Sequence, residues 1–223
     1  MLFSEKLKCF TAAHPGANLT VGGAQFRYVL SGRENGRPLV FLNGGMVAQI
    51  YVQSYPGEVG GLVLISTGGM DEATLKSLKK KYRLAPLMLW YMKHCNYEKL
   101  KPKLIRASMR HIRNESAEEI AYARDMFETI FKDYKQEKDV HISGLLADVM
   151  NQTPVTEADF AALEGRILLI LPDQDFFSGK MQQDLVRLMH SPKITYISGG
   201  HLSTVLRADA FVRAIREFLK ELG

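Results

Sequence analysis

The sequence is poor in cysteine and in long apolar runs, and both absences exclude classes of protein. Cys9 and Cys95 are the only cysteines among 223 residues, so neither a disulfide framework nor a zinc-ligand spacing is present. We therefore expect a reducing, cytoplasmic setting. The first residues become charged at Glu5 and Lys6, so we expect no signal peptide. Apolar runs such as residues 167–172 are too short to span a bilayer.

Motifs that bind nucleotides or metals are also missing. The sequence has no Gly-rich phosphate loop and no His-x-x-x-His or Cys-x-x-Cys spacing, so we expect no cofactor and no metal. The net charge of +5 favours solubility and weak attraction to anions, but it does not by itself indicate nucleic-acid binding. Hydrophobic residues make up 46% and charged residues 24%, which is typical of a folded chain with one full core.

The hydropathy pattern divides the chain into an α/β core and a helical insertion. Runs suited to buried strands are PLVFL, GLVLIS and RILLILP, and KITYIS is a further predicted strand, with helical patterns between them. From residue 71 to 153 strand-like runs vanish and helical periodicity takes over. We predict an α/β core formed by residues 1–70 and 154–223 and an all-helical cap formed by residues 71–153.

Two loops that follow predicted strands carry an acid and a histidine. Asp175 comes after one strand and His201 after the next, at the edge where α/β sheets bind ligands. A histidine there can take a proton from a nucleophile while the acid orients its ring. Asp173 is an alternative acid, and Asp175 could instead cap the following helix. His201 could also be an ordinary loop histidine.

These segments together resemble the α/β-hydrolase superfamily, in particular its maspardin-like branch. The similar stretches, in order, are HPGANLTVGGAQFRYVLSG, MVAQIYVQSYPGEVGGLVLISTGG, ILLILPDQD and SGGHLS. The resemblance implies a mostly parallel sheet flanked by helices, with nucleophile, acid and histidine in that chain order. Asp175 and His201 would then be the catalytic pair. We predict that the strands at residues 167–171 and 193–197 are parallel neighbours and that the two side chains approach within about 3 to 5 Å. The complete family form would be a serine hydrolase of small apolar ester-like substrates held under the cap.

The family's nucleophile elbow is missing from this chain. The turn Leu42-Asn43-Gly44-Gly45 joins a strand directly to the helix that follows the elbow serine in the family. The resemblance implies a deletion of roughly 60 residues, or two βα units, and a reduced six-stranded sheet. Leu42 then stands at the nucleophile position, and the amides of Asn43, Gly44 and Gly45 remain as oxyanion-type donors. We expect an inactive chain, with a non-catalytic binding or scaffold protein of the maspardin type as the alternative.

Two other serines lie near the expected site. Ser66 begins the sequence STGG at the end of a predicted strand. This sequence matches the second half of the glycine-rich turn that carries a nucleophilic serine. A strand-end hydroxyl that bonds to the backbone is the simpler interpretation. Ser203 lies two residues past His201, and we predict that it caps the last helix.

A basic, aromatic stretch of the predicted cap has two interpretations. Between Lys76 and Arg113 the sequence has twelve Lys or Arg residues and one acid, and the interleaved aromatics are Trp90, Tyr91 and Tyr97. One interpretation is an anionic partner, lipid or nucleic acid. The other is a solvated helix face whose aromatics pack on the core or line an acyl pocket. The apolar run LAPLMLWYM favours the second, so we expect no nucleic-acid partner.

The predicted loss of two βα units has a consequence for assembly. Apolar faces that the missing helices would cover become exposed, and at about 25 cal/mol per Å² such surface strongly favours association. We expect a homodimer or larger assembly, formed by exchange of the strand–helix unit at residues 37–56. Light scattering at micromolar concentration measures this, and a stable monomer would contradict the prediction.

Overall fold

The structure, a computed structural model, describes most of the chain, namely residues 1–21, 24–28, 45–112, 115–175, 177 and 179–222. The strands are β1 (Ala17–Val21), β2 (Ala24–Tyr28), β3 (Leu62–Ile65), β4 (Ile167–Pro172) and β5 (Lys193–Ile197). The first helices are α1 (Phe3–Ala13), α2 (Gly45–Ser54), α3 (Glu72–Lys81), α4 (Ala85–His94), α5 (Tyr97–Met109) and α6 (Ala117–Lys132). The later helices are α7 (Gln136–Met150), α8 (Glu157–Phe160), α9 (Gly179–Leu188), α10 (Ser203–Leu206) and α11 (Ala208–Glu221).

A three-stranded parallel sheet lies at the centre of the core, in the order β3-β4-β5. In the two registers Ile65 lies opposite Ile170, and Pro172 lies opposite Ile197. A strand covered on both faces needs apolar side chains throughout, and all six residues of β4 are buried. The predicted parallel pairing of the two strands that precede Asp175 and His201 is confirmed.

Helices cover both faces of this sheet. Ile167, Leu169 and Leu171 of β4 join an apolar cluster with buried residues of α2, α3 and α9. Leu168 and Ile170 join a second cluster with the buried face of α11. Because side chains alternate along a strand, these two clusters lie on opposite faces. The chain is therefore a mostly parallel sheet flanked by helices, as the sequence predicts.

The hairpin of β1 and β2 is antiparallel, with Ala17 opposite Tyr28 and Val21 opposite Ala24. Within the described residues it forms a sheet of its own, apart from β3, β4 and β5. The strand predicted in PLVFL, which would join the two sheets, lies outside the described residues. The single six-stranded sheet therefore stays a prediction.

The segment predicted to be an all-helical cap contains α3 to α7. Ser116 caps α6, since its hydroxyl accepts from the amide of Glu119 at 3.2 Å and the Glu119 carboxylate accepts from the amide of Ser116 at 3.0 Å. The hydrogen bonds from Ser116 lower the pKa of Glu119 below its ordinary value. In the part of the chain described, none of the helices is both long enough and apolar enough to cross a membrane.

Gln49 fixes α2 against the loop that follows β3. Its side chain is fully buried, and its amide nitrogen donates to the carbonyls of Gly45 at 3.1 Å and Gly68 at 3.0 Å. Its carbonyl oxygen accepts from the amide of Met70 at 3.1 Å. Buried backbone groups require partners, so this side chain satisfies the buried Gly68 carbonyl and Met70 amide and ties α2 to the loop after β3.

Replacing Gln49 by Ala leaves these buried groups unsatisfied, so we expect a loss of about 3 kcal/mol in the free energy of unfolding. The measurement is urea denaturation followed by circular dichroism. The matched control is Gln152→Ala, because among the residues that the structure describes the exposed Gln152 side chain donates only to the carbonyl of Asp148. The control should change stability by less than about 0.5 kcal/mol, and equal losses in both variants would contradict this role for Gln49.

Candidate active site

Asp175 and His201 meet at the carboxyl edge of the parallel sheet. Asp175 follows β4 and His201 follows its neighbour β5, so both loops emerge on the same side. His201 Nδ1 lies 3.1 Å from Oδ1 and 3.3 Å from Oδ2 of Asp175. The Asp175 side chain is 1% exposed and the His201 side chain 45% exposed. The predicted approach of the two side chains is confirmed.

This contact determines what the imidazole can do. A carboxylate accepts but cannot donate, so the proton of a neutral His201 is placed on Nδ1 and Nε2 is left as the basic nitrogen. Asp175 Oδ1 also accepts from the amide of Phe177 at 3.4 Å, which fixes the carboxylate in its own turn. The helix α9 begins only at Gly179, so the alternative that Asp175 caps this helix is not supported.

Asp173, the alternative acid, joins the two loops instead. Its Oδ1 accepts from the amide of Gly199 at 2.8 Å, and its own amide donates to the carbonyl of Ile197 at 3.1 Å. The amide of Gln174 donates to the carbonyl of Gly199 at 3.0 Å. These bonds hold the histidine loop beside the acid loop, so Asp173 positions the pair through the backbone of Ile197 and Gly199.

Gly199 occupies a position that only glycine fills without strain. Its φ is +113°, a conformation that residues with a Cβ rarely adopt. A Cβ there would lie 2.6 Å from Arg207 Nη1 and 3.0 Å from Ser203 Oγ. Ser203 is the first residue of α10 and its hydroxyl donates to the carbonyl of Gly200, so the predicted capping of the last helix by Ser203 is wrong.

Arg207 connects the region of the histidine loop to the start of α6. Its Nη2 lies 2.6 Å from Glu115 Oε2 and 3.5 Å from Glu119 Oε1, at the start of α6. The hydrogen bond to Glu115 raises the pKa of Arg207 above its already high ordinary value, so the guanidinium stays charged. Sequence reasoning missed this residue because its partners lie far away in the chain and no motif marks them.

Ser66 has an unusual backbone and an unsatisfied side chain. It follows β3 with φ of +47°, which is uncommon for a residue other than glycine. The side chain is buried, and its hydroxyl makes no hydrogen bond within the described part of the chain. The expected hydroxyl-to-backbone bond is therefore not present in this geometry. Strained backbone conformations cluster at functional sites, and a buried hydroxyl without a partner is rare in native structures.

The loop after β3 reaches the same edge as the acid–histidine pair. A Cβ on Gly68 would lie 2.9 Å from the ring of Phe177, so this ring packs directly on the Gly68 backbone. The centroid of the Phe177 ring is 6.1 Å from that of His201. Phe177 therefore lies between the loop of Ser66 and the imidazole, where it supplies an apolar wall to the edge.

The predicted elbow is only partly described. Leu42, Asn43 and Gly44 lie outside the described residues. Gly45, the third predicted oxyanion donor, is the first residue of α2. A Cβ on Gly45 would lie 2.6 Å from the side chain of Thr67, so this glycine permits close packing of α2 on the loop after β3.

Two cavities lie elsewhere on the molecule. One of about 590 Å³ is lined by Asp71, Val155, Thr156, Glu157, Ala158, Asp184, Arg187 and Leu188. Another of about 610 Å³ is lined by residues 95–98, 101 and 132–136. Neither lining includes the acid–histidine pair. Among the described residues, no three His, Cys, Asp or Glu side chains are grouped so that they could hold a metal ion.

Comparison with known proteins identifies the fold. No family model and no curated protein matches the sequence. A hydrolase from Pseudomonas aeruginosa superposes with a TM-score of 0.55 at 17% identity, over 79% of this chain and 61% of that one. An enol-lactonase from Burkholderia xenovorans superposes with a TM-score of 0.52 at 13% identity, over 79% of this chain and 62% of that one. The chain therefore has the α/β-hydrolase fold and spans about three fifths of these structures.

Replacing Gly199 by Ala should distort the histidine loop, because the new Cβ meets Arg207 and the backbone is strained. We expect a loss of about 2 kcal/mol or more in the free energy of unfolding, measured by urea denaturation. The matched control is Gly144→Ala within α7, where a Cβ meets no atom within 4 Å. The control should raise stability by about 0.5–1 kcal/mol. A Gly199→Ala variant as stable as this control would contradict the role of Gly199.

Proposed function

We propose that this chain carries the acid–base half of a serine-hydrolase site in a fold whose complete form acts on small apolar ester-like substrates. The observation that carries the proposal is the 3.1 Å contact between His201 Nδ1 and the buried carboxylate of Asp175. In such a site the imidazole takes the proton of the nucleophile through Nε2, and the carboxylate stabilises the imidazolium that results. A small apolar substrate, held under the cap, suits the apolar wall at Phe177.

The nucleophile is the element that this chain lacks. In our proposal two βα units are deleted before α2, the chain descends from the maspardin-like branch, and Leu42 stands where the serine would be. The span of about three fifths of the solved structures supports a reduced core. A leucine has no proton to transfer and no lone pair for attack on a carbonyl. The chain therefore hydrolyses no ester.

A non-catalytic binding or scaffold protein of the maspardin type is the second candidate. Asp173, Gly199 and Arg207 still hold the histidine loop in place, and this observation favours the second candidate. In our proposal the site keeps its shape although Leu42 stands in place of the nucleophile. The two free cysteines support a reducing, cytoplasmic location. The same small apolar molecule would then be a ligand, and the assembly a homodimer or larger.

We expect no covalent labelling of the protein by a fluorophosphonate probe and no turnover of a p-nitrophenyl ester above that of the His201→Ala variant. Removing the nucleophile of a triad costs on the order of 10⁶ in kcat, which leaves no activity above this control. Leu42→Ser should restore little, because the oxyanion donor of the earlier family loop is also absent in our proposal. Labelling and ester hydrolysis measured side by side test both expectations.

Labelling of the unmodified chain would contradict the proposed loss of the nucleophile. Mass spectrometry of the labelled peptide would then identify the serine. Ser66 and Ser203 are the first residues to replace by Ala, since Ser66 directly follows β3 and Ser203 begins the helix after the histidine loop, both at the carboxyl edge of the sheet. Loss of labelling in Ser66→Ala alone would assign the nucleophile to the strained turn after β3.

A further inference from the structure

The helix α4 leaves a large apolar face in solvent. Five of its residues or flanking residues are about half exposed or more, namely Leu84 (64%), Leu87 (62%), Met88 (52%), Trp90 (59%) and Tyr91 (49%). We call these five residues the α4 face. The expectation that Trp90, Tyr91 and Tyr97 all pack on the core is wrong, because Tyr97 is buried whereas Trp90 and Tyr91 are exposed. Contiguous exposed apolar surface of this kind typically marks an interaction site.

The helical geometry shows that the α4 face is one continuous surface. Leu84, Met88 and Tyr91 follow the i, i+4, i+7 spacing of a single helical stripe, and Leu87 and Trp90 lie beside them. Met92 is buried on another side of the helix, and α4 packs against α7. One side of the helix thus belongs to the cap, and a second apolar side points outward.

Exposed basic side chains come directly before and after the α4 face in the sequence. The four lysines of α3 are all exposed, namely Lys76, Lys79, Lys80 and Lys81. Arg83, just before α4, and Lys93, near its end, are exposed as well. The only acid between residues 76 and 113 is Glu98. An exposed apolar face with Trp and Tyr, bordered by Lys and Arg, is the combination that binds to a bilayer surface with anionic lipids.

We propose that the α4 face docks on an anionic lipid bilayer. Leu84, Leu87 and Met88 enter the boundary between headgroups and acyl chains, while the aromatic rings lie at headgroup level. The lysines of α3 lie against the lipid phosphates. Nucleic acid fits less well, because phosphate contacts leave the exposed Leu87 and Met88 without a partner. The proposal is independent of the chemistry at Asp175 and His201.

Trp90 is the only tryptophan in the chain, so its fluorescence reports the docking directly. The experiment uses the full chain with vesicles of phosphatidylcholine alone or with about 30% phosphatidylserine, roughly the anionic character of a cytoplasmic leaflet. We expect a blue shift and co-sedimentation with the anionic vesicles. Binding should be roughly tenfold weaker to neutral vesicles and should weaken with added salt.

Variants separate the apolar and the charged contributions. Leu87→Gln with Met88→Gln should weaken binding to anionic vesicles at least about tenfold. Charge removal at three lysines should abolish the preference for anionic lipid: Lys79→Gln, Lys80→Gln and Lys81→Gln. Two control variants change exposed residues of the α/β core and should leave binding unchanged. The apolar control is Tyr196→Gln in β5. The charge control combines Arg213→Gln, Arg216→Gln and Lys220→Gln in α11. Circular dichroism checks that every variant is folded.

Three outcomes would overturn the proposal. The first is an unshifted Trp90 spectrum with no co-sedimentation on anionic vesicles. The second is binding of poly-uridine RNA, lost in the lysine variant, without binding of vesicles. The third is a dimer in light scattering that Leu87→Gln with Met88→Gln dissociates, again without vesicle binding, which would assign the α4 face to a second copy of the chain.

Discussion

The parallel pairing of β4 with both of its neighbours is the constraint on which the rest of the structure depends. β4 is buried along its whole length, and its alternate side chains belong to two different apolar clusters. A slip of one residue would exchange those clusters. The register is therefore strongly specified. It determines where along the sheet edge the loops after β3, β4 and β5 begin. Ser66, Asp175 and His201 share one edge for this reason.

A second set of contacts converts this shared edge into a defined geometry. Asp173 binds the backbone of the histidine loop, and Gly199 allows the guanidinium of Arg207 to lie against that loop. Arg207 in turn contacts Glu115 and Glu119 at the start of α6. Arg207 thus gives a direct charged contact between the residue stretch that follows the histidine loop and the start of α6.

The sequence predicts the parts of the molecule that depend on local patterns. Continuous apolar runs predict the buried strands, and the order of Asp175 and His201 after them predicts the pair. Arg207 could not be predicted, since its contact with Glu115 joins residues 92 apart. The positive φ of Ser66 also leaves no local signal. The exposure of Trp90 and Tyr91 could not be predicted either, because hydropathy alone does not tell which side of a helix faces solvent.

The protonation of the His201 ring tests the central claim most directly. Nitrogen-15 NMR of the histidine-labelled protein, with the signal assigned by its loss in His201→Ala, distinguishes the two neutral tautomers. We predict that neutral His201 carries its proton on Nδ1, and that Asp175→Asn removes this preference because an amide no longer acts only as an acceptor. If neutral His201 instead carries its proton on Nε2, and Asp175→Asn does not change this tautomer, the acid–base pair is contradicted.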